Sequence, residues 1–233
     1  MATSTSAPAQ ALRRDPARLQ LWLMMSLTFV TGVVDAVGYL GLDKVFTGNM
    51  TGNIVILAMG LAGGNGLPVL GPLLALFSFA GGALLAGVVL RGREPGWCGR
   101  MTALLTAGAV LLALLAVTLS VAGGRPGHTL AVVTACLIAA QMGSQACVAR
   151  KLGVRDMTTV VVTSTLTSFA GESLLLRGPG RVWNRRAGAI ALIFAGAGVG
   201  AALVHLHMAI AIALGSLLTL AVGVLGHRTR RGR

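Results

Sequence analysis

Charged residues are scarce in this chain: Asp, Glu, Lys and Arg together make up only 11% of its 233 residues. Soluble domains carry roughly 25% charged residues, and the mean hydropathy of the chain is +0.82, so the composition excludes an ordinary soluble domain. The apolar runs are long and continuous, whereas a membrane β-barrel shows segments of about 10 residues that alternate between polar and apolar side chains. We therefore expect an all-α integral membrane protein with one membrane domain.

Cysteines and embedded catalytic groups are also scarce. The three cysteines, Cys98, Cys136 and Cys147, show no paired spacing of the kind that indicates a disulfide or a metal site. An intramembrane hydrolase needs a Ser/His, Ser/Lys or paired-Asp arrangement, but the apolar runs contain a single Asp, no Lys and no His near the membrane centre. We expect no enzymatic activity, no cofactor and no metal.

Acidic residues number only 6 against 19 Lys and Arg, which gives a net charge of +13. The basic residues form short clusters between the apolar runs and build no basic domain with interleaved aromatic residues, so we do not expect nucleic acid as a partner. Short basic clusters are typical of cytoplasmic loops, where they can contact the anionic lipid headgroups of the bilayer. The clusters span residues 13–18, 91–100, 150–155, 177–186 and 228–233.

Eight apolar segments follow one another along the chain: 20–41, 45–62, 67–90, 101–122, 128–149, 157–175, 186–206 and 208–226. A full helical crossing needs about 20 residues. If all eight crossed, the basic loop 91–100 would lie opposite the basic N-terminus, against the positive-inside bias. Every large basic cluster falls on one side if 45–62 and 157–175 are half-helices or re-entrant segments. We therefore predict about six full transmembrane helices plus two half-helices, with both termini cytoplasmic in the inner (plasma) membrane.

The chain divides into a membrane domain and two tails. Residues 1–19 are rich in Ala, Ser, Thr and Pro and then basic, which predicts a disordered cytoplasmic tail. The membrane domain spans 20–226, and residues 227–233 form a basic cytoplasmic tail. A signal peptide is not expected, because the first apolar run is longer than the usual 7–15 residues and contains Asp35.

Two stretches about 110 residues apart carry similar motifs, which indicates an internal repeat. In each, a glycine-bearing apolar helix leads into a short polar segment, 19 positions from Gly32 to Thr51 and 20 from Gly143 to Thr163. With the topology above, repeats 20–122 and 128–226 enter the membrane in opposite directions. Inverted repeats with short polar segments are typical of solute pathways, with the binding site near the membrane midplane. The motifs are Gly32-Val-Val-Asp35-Ala36 and Asn49-Met-Thr51-Gly-Asn53 in repeat one, Gly143-Ser-Gln145-Ala146 and Thr163-Ser-Thr165-Leu-Thr167 in repeat two, and Phe79-Ala-Gly-Gly82 matched by Phe194-Ala-Gly-Ala197.

These motifs resemble those of the YoaK family of uncharacterised bacterial membrane proteins. The resemblance is carried by the first-half motifs from Thr31 to Asp35 and from Phe46 to Asn53 and by the second-half motifs between 142 and 167, and it covers about residues 20–226. It implies a multi-spanning inner-membrane protein and supplies no established activity.

Asp35 is the strongest candidate for a functional residue, because it lies about six residues from the outer end of its span, roughly 9 Å along the helix axis. A carboxylate at that depth costs several kcal/mol unless it is paired, hydrated or protonated. It can serve proton coupling, cation binding or a hydrogen bond to a solute. Alternatively, it forms a structural bond to Thr or Asn side chains of segment 45–62.

The other candidates are polar residues in or beside the two short segments. Side chains at the start of the first half-helix, whose free N–H groups attract anions, can bind a solute or cap the helix. Two amides on span 128–149 can contact a ligand or form interhelical hydrogen bonds, and threonines in the second short segment can line a cavity or bond to the preceding turn. These candidates are Asn49, Thr51 and Asn53; Gln141 and Gln145; and Thr159, Thr163 and Thr165.

The sequence therefore favours a transporter or facilitator of a small polar or anionic solute, with Asp35 as the candidate for proton coupling. A passive channel and a non-transporting membrane scaffold or sensor are the alternatives. The lipid bilayer and the solute are the expected partners, and a homo-oligomer is compatible with the sequence.

Overall fold

The structure is a computed structural model that describes residues 16–64, 66–93, 96–124, 126–153 and 185–231. These residues form seven α-helices and no β-strand. Six of the helices are long and apolar enough to cross a membrane, so the predicted all-α integral membrane protein is confirmed. The helices are α1 (Pro16–Gly41), α2 (Met50–Leu61), α3 (Leu70–Val89), α4 (Gly99–Val121), α5 (His128–Leu152), α6 (Arg185–Leu206) and α7 (Met208–Arg231).

The first and last helices are longer than their apolar runs. α1 begins at Pro16, whose fixed φ suits the first position of a helix, and α7 continues to Arg231. Both helices therefore extend into the tails predicted over 1–19 and 227–233. Residues 1–15 of the predicted tail and the half-helix predicted over 157–175 lie outside the described residues.

The six long helices pack as three close pairs, α1 with α6, α3 with α5 and α4 with α7. α1 and α5 form the centre, with 67% and 61% of their spans buried, whereas α3 and α6 lie at the periphery, with 22% and 17% buried. The exposed faces of α3 and α6 suit contact with lipid tails, which are as apolar as leucine. α1 also packs along α7, so α1 and α5 are the long helices that the bundle encloses most.

The α3–α5 pair is held at backbone contact by two glycines. A Cβ atom at Gly82 would collide with the carbonyl group of Ala140, and one at Gly143 would collide with the carbonyl oxygen of Phe79. Small residues permit such close approach, and van der Waals packing drives helix association in lipid. The neighbouring Gly81 faces open space, so the contact depends on position along the helix and not on glycine content.

The α1–α6 pair repeats this arrangement. A Cβ atom at Gly196 would collide with the carbonyl oxygen of Phe29, and one at Gly32 would collide with that of Ile193. The contacts therefore align Gly82 with Gly196. The sequence motif aligns Phe79 with Phe194, and therefore Gly82 with Ala197, one residue further along. The two alignments differ because the motif matches phenylalanines, whereas the packing matches the glycines that touch a neighbouring backbone.

Basic residues from both ends of the chain meet at one end of the bundle. A hydrophobic cluster there joins the N-terminal parts of α1 and α4 to the C-terminal parts of α3, α5 and α7: Leu23, Leu90, Met101, Leu152 and Val222. Basic side chains follow or precede these residues in the chain, among them Arg91, Arg100, Arg150 and Arg228. This common end is what the topology predicted from the positive-inside bias requires.

Segment 42–69 starts and ends at the opposite end of the bundle. Asp43, just after α1, packs against Gly71 in the first turn of α3, so the chain returns to the end that it left. α2 has 12 residues, about 18 Å of helix, which is too short for a hydrocarbon core of about 30 Å. α2 is therefore a half-helix that does not cross, as predicted for segment 45–62.

Candidate functional site

Asp35 binds the loop that leads into α2. Its Oδ1 accepts hydrogen bonds from the backbone N–H of Thr47 at 2.9 Å, the backbone N–H of Gly48 at 2.6 Å and the hydroxyl of Thr47 at 3.3 Å. Asp35 is 9% exposed and Thr47 is fully buried. A carboxylate can be buried where several donors surround it. The geometry supports the structural bond to segment 45–62, made through backbone groups as well as a hydroxyl.

Two asparagines complete the same turn. The fully buried side chain of Asn53 accepts a hydrogen bond from the backbone N–H of Phe46 at 2.8 Å and donates one to the backbone oxygen of Phe46 at 2.6 Å. Asn49 is the N-cap of α2 and accepts a hydrogen bond from the N–H of Gly52 at 3.2 Å. Both amides hold the start of α2, whereas Thr51 lies on the exposed surface.

Asn53→Ala is expected to destabilise the protein far more than Asn49→Ala. Truncation of Asn53 leaves the N–H and C=O of Phe46 without their partner, at about 1–3 kcal/mol for each buried group, whereas loss of an exposed N-cap costs about 1 kcal/mol. Thermal unfolding of the two purified variants in the same detergent measures the difference. Equal melting temperatures would contradict the anchoring role of Asn53.

A stripe of buried polar side chains runs along α5. Thr134, Gln141 and Gln145 are 0%, 4% and 2% exposed, and their spacing puts them within about 40° on one helix face, over roughly 16 Å of its length. In the described part of the chain, the hydroxyl of Thr134, Nε2 of Gln141 and Oε1 of Gln145 have no hydrogen-bond partner. Unpaired buried polar atoms are rare in native proteins, so this polar stripe of α5 requires an explanation.

The two glutamines of the polar stripe reach toward neighbouring helices. A Cβ atom at Gly108 of α4 would overlap the Gln141 amide, so the amide lies directly against the α4 backbone. Gln145 Nε2 donates a long hydrogen bond of 3.4 Å to the backbone oxygen of Leu27 in α1. The stripe therefore lies where α1, α4 and α5 meet, and its free donor and acceptor atoms can bind a polar solute there.

The predicted site residues separate into groups. Asn49 and Asn53 hold the turn at the start of α2 that Asp35 also binds, whereas Thr51 lies on the exposed surface. The two glutamines belong to the polar stripe of α5, on another central helix. The third group lies outside the described residues: Thr159, Thr163 and Thr165.

Comparison with known proteins agrees with the sequence motifs and with a transmembrane protein. The family model described as "Protein of unknown function (DUF1275)" matches residues 23–225, which include Asp35 and the whole polar stripe. The chain belongs to the DUF1275 family. It is also 33% identical to the UPF0700 transmembrane protein YoaK of Bacillus subtilis (strain 168) over 148 residues, which are 63% of this chain and 64% of that relative's length. No solved structure matches the chain.

The resemblance to the YoaK family is thereby confirmed, and this DUF1275 protein is a multi-pass membrane protein of a family without an assigned activity.

Three further residues belong to its sites: Thr47 supplies two of the donors to the embedded carboxylate, Thr134 extends the polar stripe, and Gly108 makes room for Gln141. The spacing i, i+7, i+11 of the stripe could be read from the sequence, since such positions share one helix face. No sequence signal separates Gly108 from the other glycines of the chain, 33 in all.

A groove of about 510 Å³ lies between α4 and α7. Its lining is mostly apolar and includes the exposed side chains of Val117, Val121 and Leu217, and no residue of the polar stripe lines it. The groove is therefore not part of the polar site. Among the described residues, no three His, Cys, Asp or Glu side chains are grouped so that they could hold a metal ion.

Proposed function

We propose that this DUF1275 protein moves a small polar solute across the membrane, as a transporter or facilitator. The observation that carries the proposal is the polar stripe of α5, which buries three polar atoms that find no partner among the described residues. Each unpaired buried group lowers the stability of the fold by about 1–3 kcal/mol. A scaffold has no reason to retain such groups. A solute that passes along the stripe satisfies these atoms in turn, and this gives their burial a function.

The helix packing supports an inverted repeat, a frequent architecture of transporters. The repeat matches α1 with α5, α3 with α6 and α4 with α7. When the helices are exchanged in this way, the close pair α1–α6 becomes the close pair α5–α3, and the α4–α7 pair is unchanged. The same exchange relates the glycine contacts of the first two pairs. α1 ends where α5 begins, with Asp43 3.7 Å from His128, so the two helices run in opposite directions, as an inverted repeat requires.

A passive channel is the second candidate function. A proton-coupled transporter needs an embedded group that exchanges its proton during transport, and Asp35 is the candidate for it. Three hydrogen bonds already converge on its Oδ1, which favours an anchoring role and passage without coupling. The response of solute flux to a pH gradient distinguishes the two functions.

In this proposal both termini face the cytoplasm of the inner membrane. The basic residues gather at one end of the bundle, and basic residues beside membrane spans are enriched on the cytoplasmic side. Cysteine labelling tests the orientation in a variant whose native cysteines are replaced by alanine. Arg93→Cys, at the basic end, is expected to react with a membrane-impermeant maleimide only after the cells are opened. Gly127→Cys, just before α5 at the other end, is expected to react in intact cells. The reverse pattern would overturn the orientation.

Swelling of proteoliposomes tests the proposed function. Vesicles with the purified protein are mixed with glycerol, urea, acetamide, acetate or phosphate, with and without a pH gradient, and light scattering follows solute entry. At least one solute is expected to enter clearly faster than in protein-free vesicles. Entry rates equal to those of protein-free vesicles for every solute and gradient would contradict the proposal.

A further inference from the structure

We propose that solute binds on one side of the molecule only, between α4 and α5, and that it is a small uncharged molecule with both hydrogen-bond donors and acceptors, such as an amide or a polyol. Gln141 and Gln145 are the binding residues. The equivalent contact between α1 and α7 is a dry packing surface. This inference rests on the proposed function and makes it more specific.

The two contacts occupy equivalent places in the repeat. Gly32 of α1 and Gly143 of α5 make matching backbone contacts, and they are 111 positions apart. The same offset carries two valines of α1 onto the two glutamines of α5, Val30 onto Gln141 and Val34 onto Gln145. One half of the molecule therefore has short apolar side chains where the other half has amides.

The α1–α7 contact is dry. A Cβ atom at Gly215 of α7 would lie 3.5 Å from Val34 and 3.7 Å from Val30, which is ordinary van der Waals distance. Both valines are fully buried, and neither offers a polar atom to a solute. The nearby hydroxyl of Ser216 is turned to α4, where it donates a hydrogen bond to the backbone oxygen of Ala109 at 2.7 Å.

The α4–α5 contact offers polar atoms at the equivalent place. A Cβ atom at Gly108 of α4 would overlap the Gln141 amide, whereas one at Gly215 of α7 would only touch Val34 and Val30. Nε2 of Gln141 is an unpaired donor, and Oε1 of Gln145, one turn away, is an unpaired acceptor within the described part of the chain. Side chains one turn apart begin about 6 Å from each other, so one small molecule can reach both amides.

The charge distribution favours an uncharged solute. The transfer of an ion into a low-dielectric interior is costly, and an opposite charge offsets this cost better than neutral dipoles do. In the described helices, Asp35 is the one acidic or basic side chain that lies away from the helix ends, and its Oδ1 already accepts three hydrogen bonds. Two neutral amides recognise a solute through hydrogen bonds alone, which suits an amide or a polyol better than an anion.

Proteoliposome swelling tests the site with acetamide, urea and glycerol as uncharged probes and with acetate and phosphate as anions. Relative to protein-free vesicles, the wild-type protein is expected to raise the entry rate of the uncharged probes more than that of the anions. Gln141→Met and Gln145→Met, which keep the side-chain volume and remove the amide, are each expected to lower this flux about tenfold. Ser144→Val is the matched control, because it makes a polar side chain of α5 apolar outside the stripe, and it is expected to leave the flux unchanged.

The outcomes separate this inference from the proposed function. Wild-type vesicles that are no more permeable than protein-free vesicles would overturn both. Uncharged flux that survives both methionine variants, or faster entry of the anions, would overturn the assigned site and solute class and leave transport standing. Gln141→Met is expected to melt no lower than the wild type, because it removes an unpaired buried donor. Gln145→Met removes an unpaired acceptor but also the long hydrogen bond to Leu27, so Gln141→Met is the variant that decides. A clearly lower melting temperature for Gln141→Met would show that its amide is structural and would also overturn the inference.

Discussion

Gly82→Ala is expected to destabilise the protein by about 3 kcal/mol or more, whereas the adjacent Gly81→Ala is expected to leave the stability unchanged or to raise it by at most about 1 kcal/mol. The new Cβ atom at Gly82 would fall on the carbonyl group of Ala140, a backbone group that cannot rotate away. α3 and α5 must then separate, and the van der Waals contacts that hold helices together in lipid are lost along the pair. At Gly81 the same methyl group meets open space.

Thermal unfolding of the two variants in one detergent measures this effect, with an expected difference in melting temperature of roughly 10 °C. The second half of the chain offers an independent copy of the experiment. Gly196→Ala would collide with Phe29, whereas Gly198→Ala meets open space. Equal melting temperatures for Gly82→Ala and Gly81→Ala would show that α3 and α5 do not meet at backbone contact.

The helix arrangement could be predicted from the sequence because it depends on length and charge, which are local properties of the chain. A full crossing needs about 20 residues, which limits the number of spans, and the basic loop around Arg93 shares a side with the basic N-terminus only if segment 45–62 turns back. These two constraints leave few arrangements of the eight apolar segments. The structure accordingly has six long apolar helices and one half-helix in its described residues.

The roles of single polar residues could not be predicted in the same way, because they depend on which backbone groups lie nearby. The sequence left Asp35 open between a solute contact and a structural bond, and it could not show that the backbone N–H groups of Thr47 and Gly48 point at the carboxylate. The same limit applies to Gly108, whose importance appears only when the Gln141 amide is found against it. Tertiary packing supplies these facts, and a single sequence does not carry them.

Asp35→Ala is expected to be severely destabilising, by about 1–3 kcal/mol for each of the two backbone N–H groups that lose their acceptor, and Asp35→Asn by only about 1–2 kcal/mol in total. Alanine leaves the buried N–H groups of Thr47 and Gly48 without an acceptor and frees the loop before α2 from α1. Asparagine keeps an oxygen at the same place, so its Oδ1 can accept the hydrogen bonds that Asp35 Oδ1 accepts now. Thermal unfolding orders the variants, with Asp43→Asn, a partly exposed residue just after α1, as the control for loss of a carboxylate.

Solute flux through the Asp35→Asn variant then separates anchoring from proton coupling. An amide does not titrate, so a protein that couples solute to protons through Asp35 loses its response to a pH gradient in this variant, although the fold survives. A protein in which Asp35 serves as the anchor of α2 keeps its wild-type flux, because the loop is still held. The hydrogen bonds at Oδ1 favour the second result. If Asp35→Ala melts at the same temperature as Asp35→Asn, the carboxylate does not hold the loop, and the anchoring role is wrong.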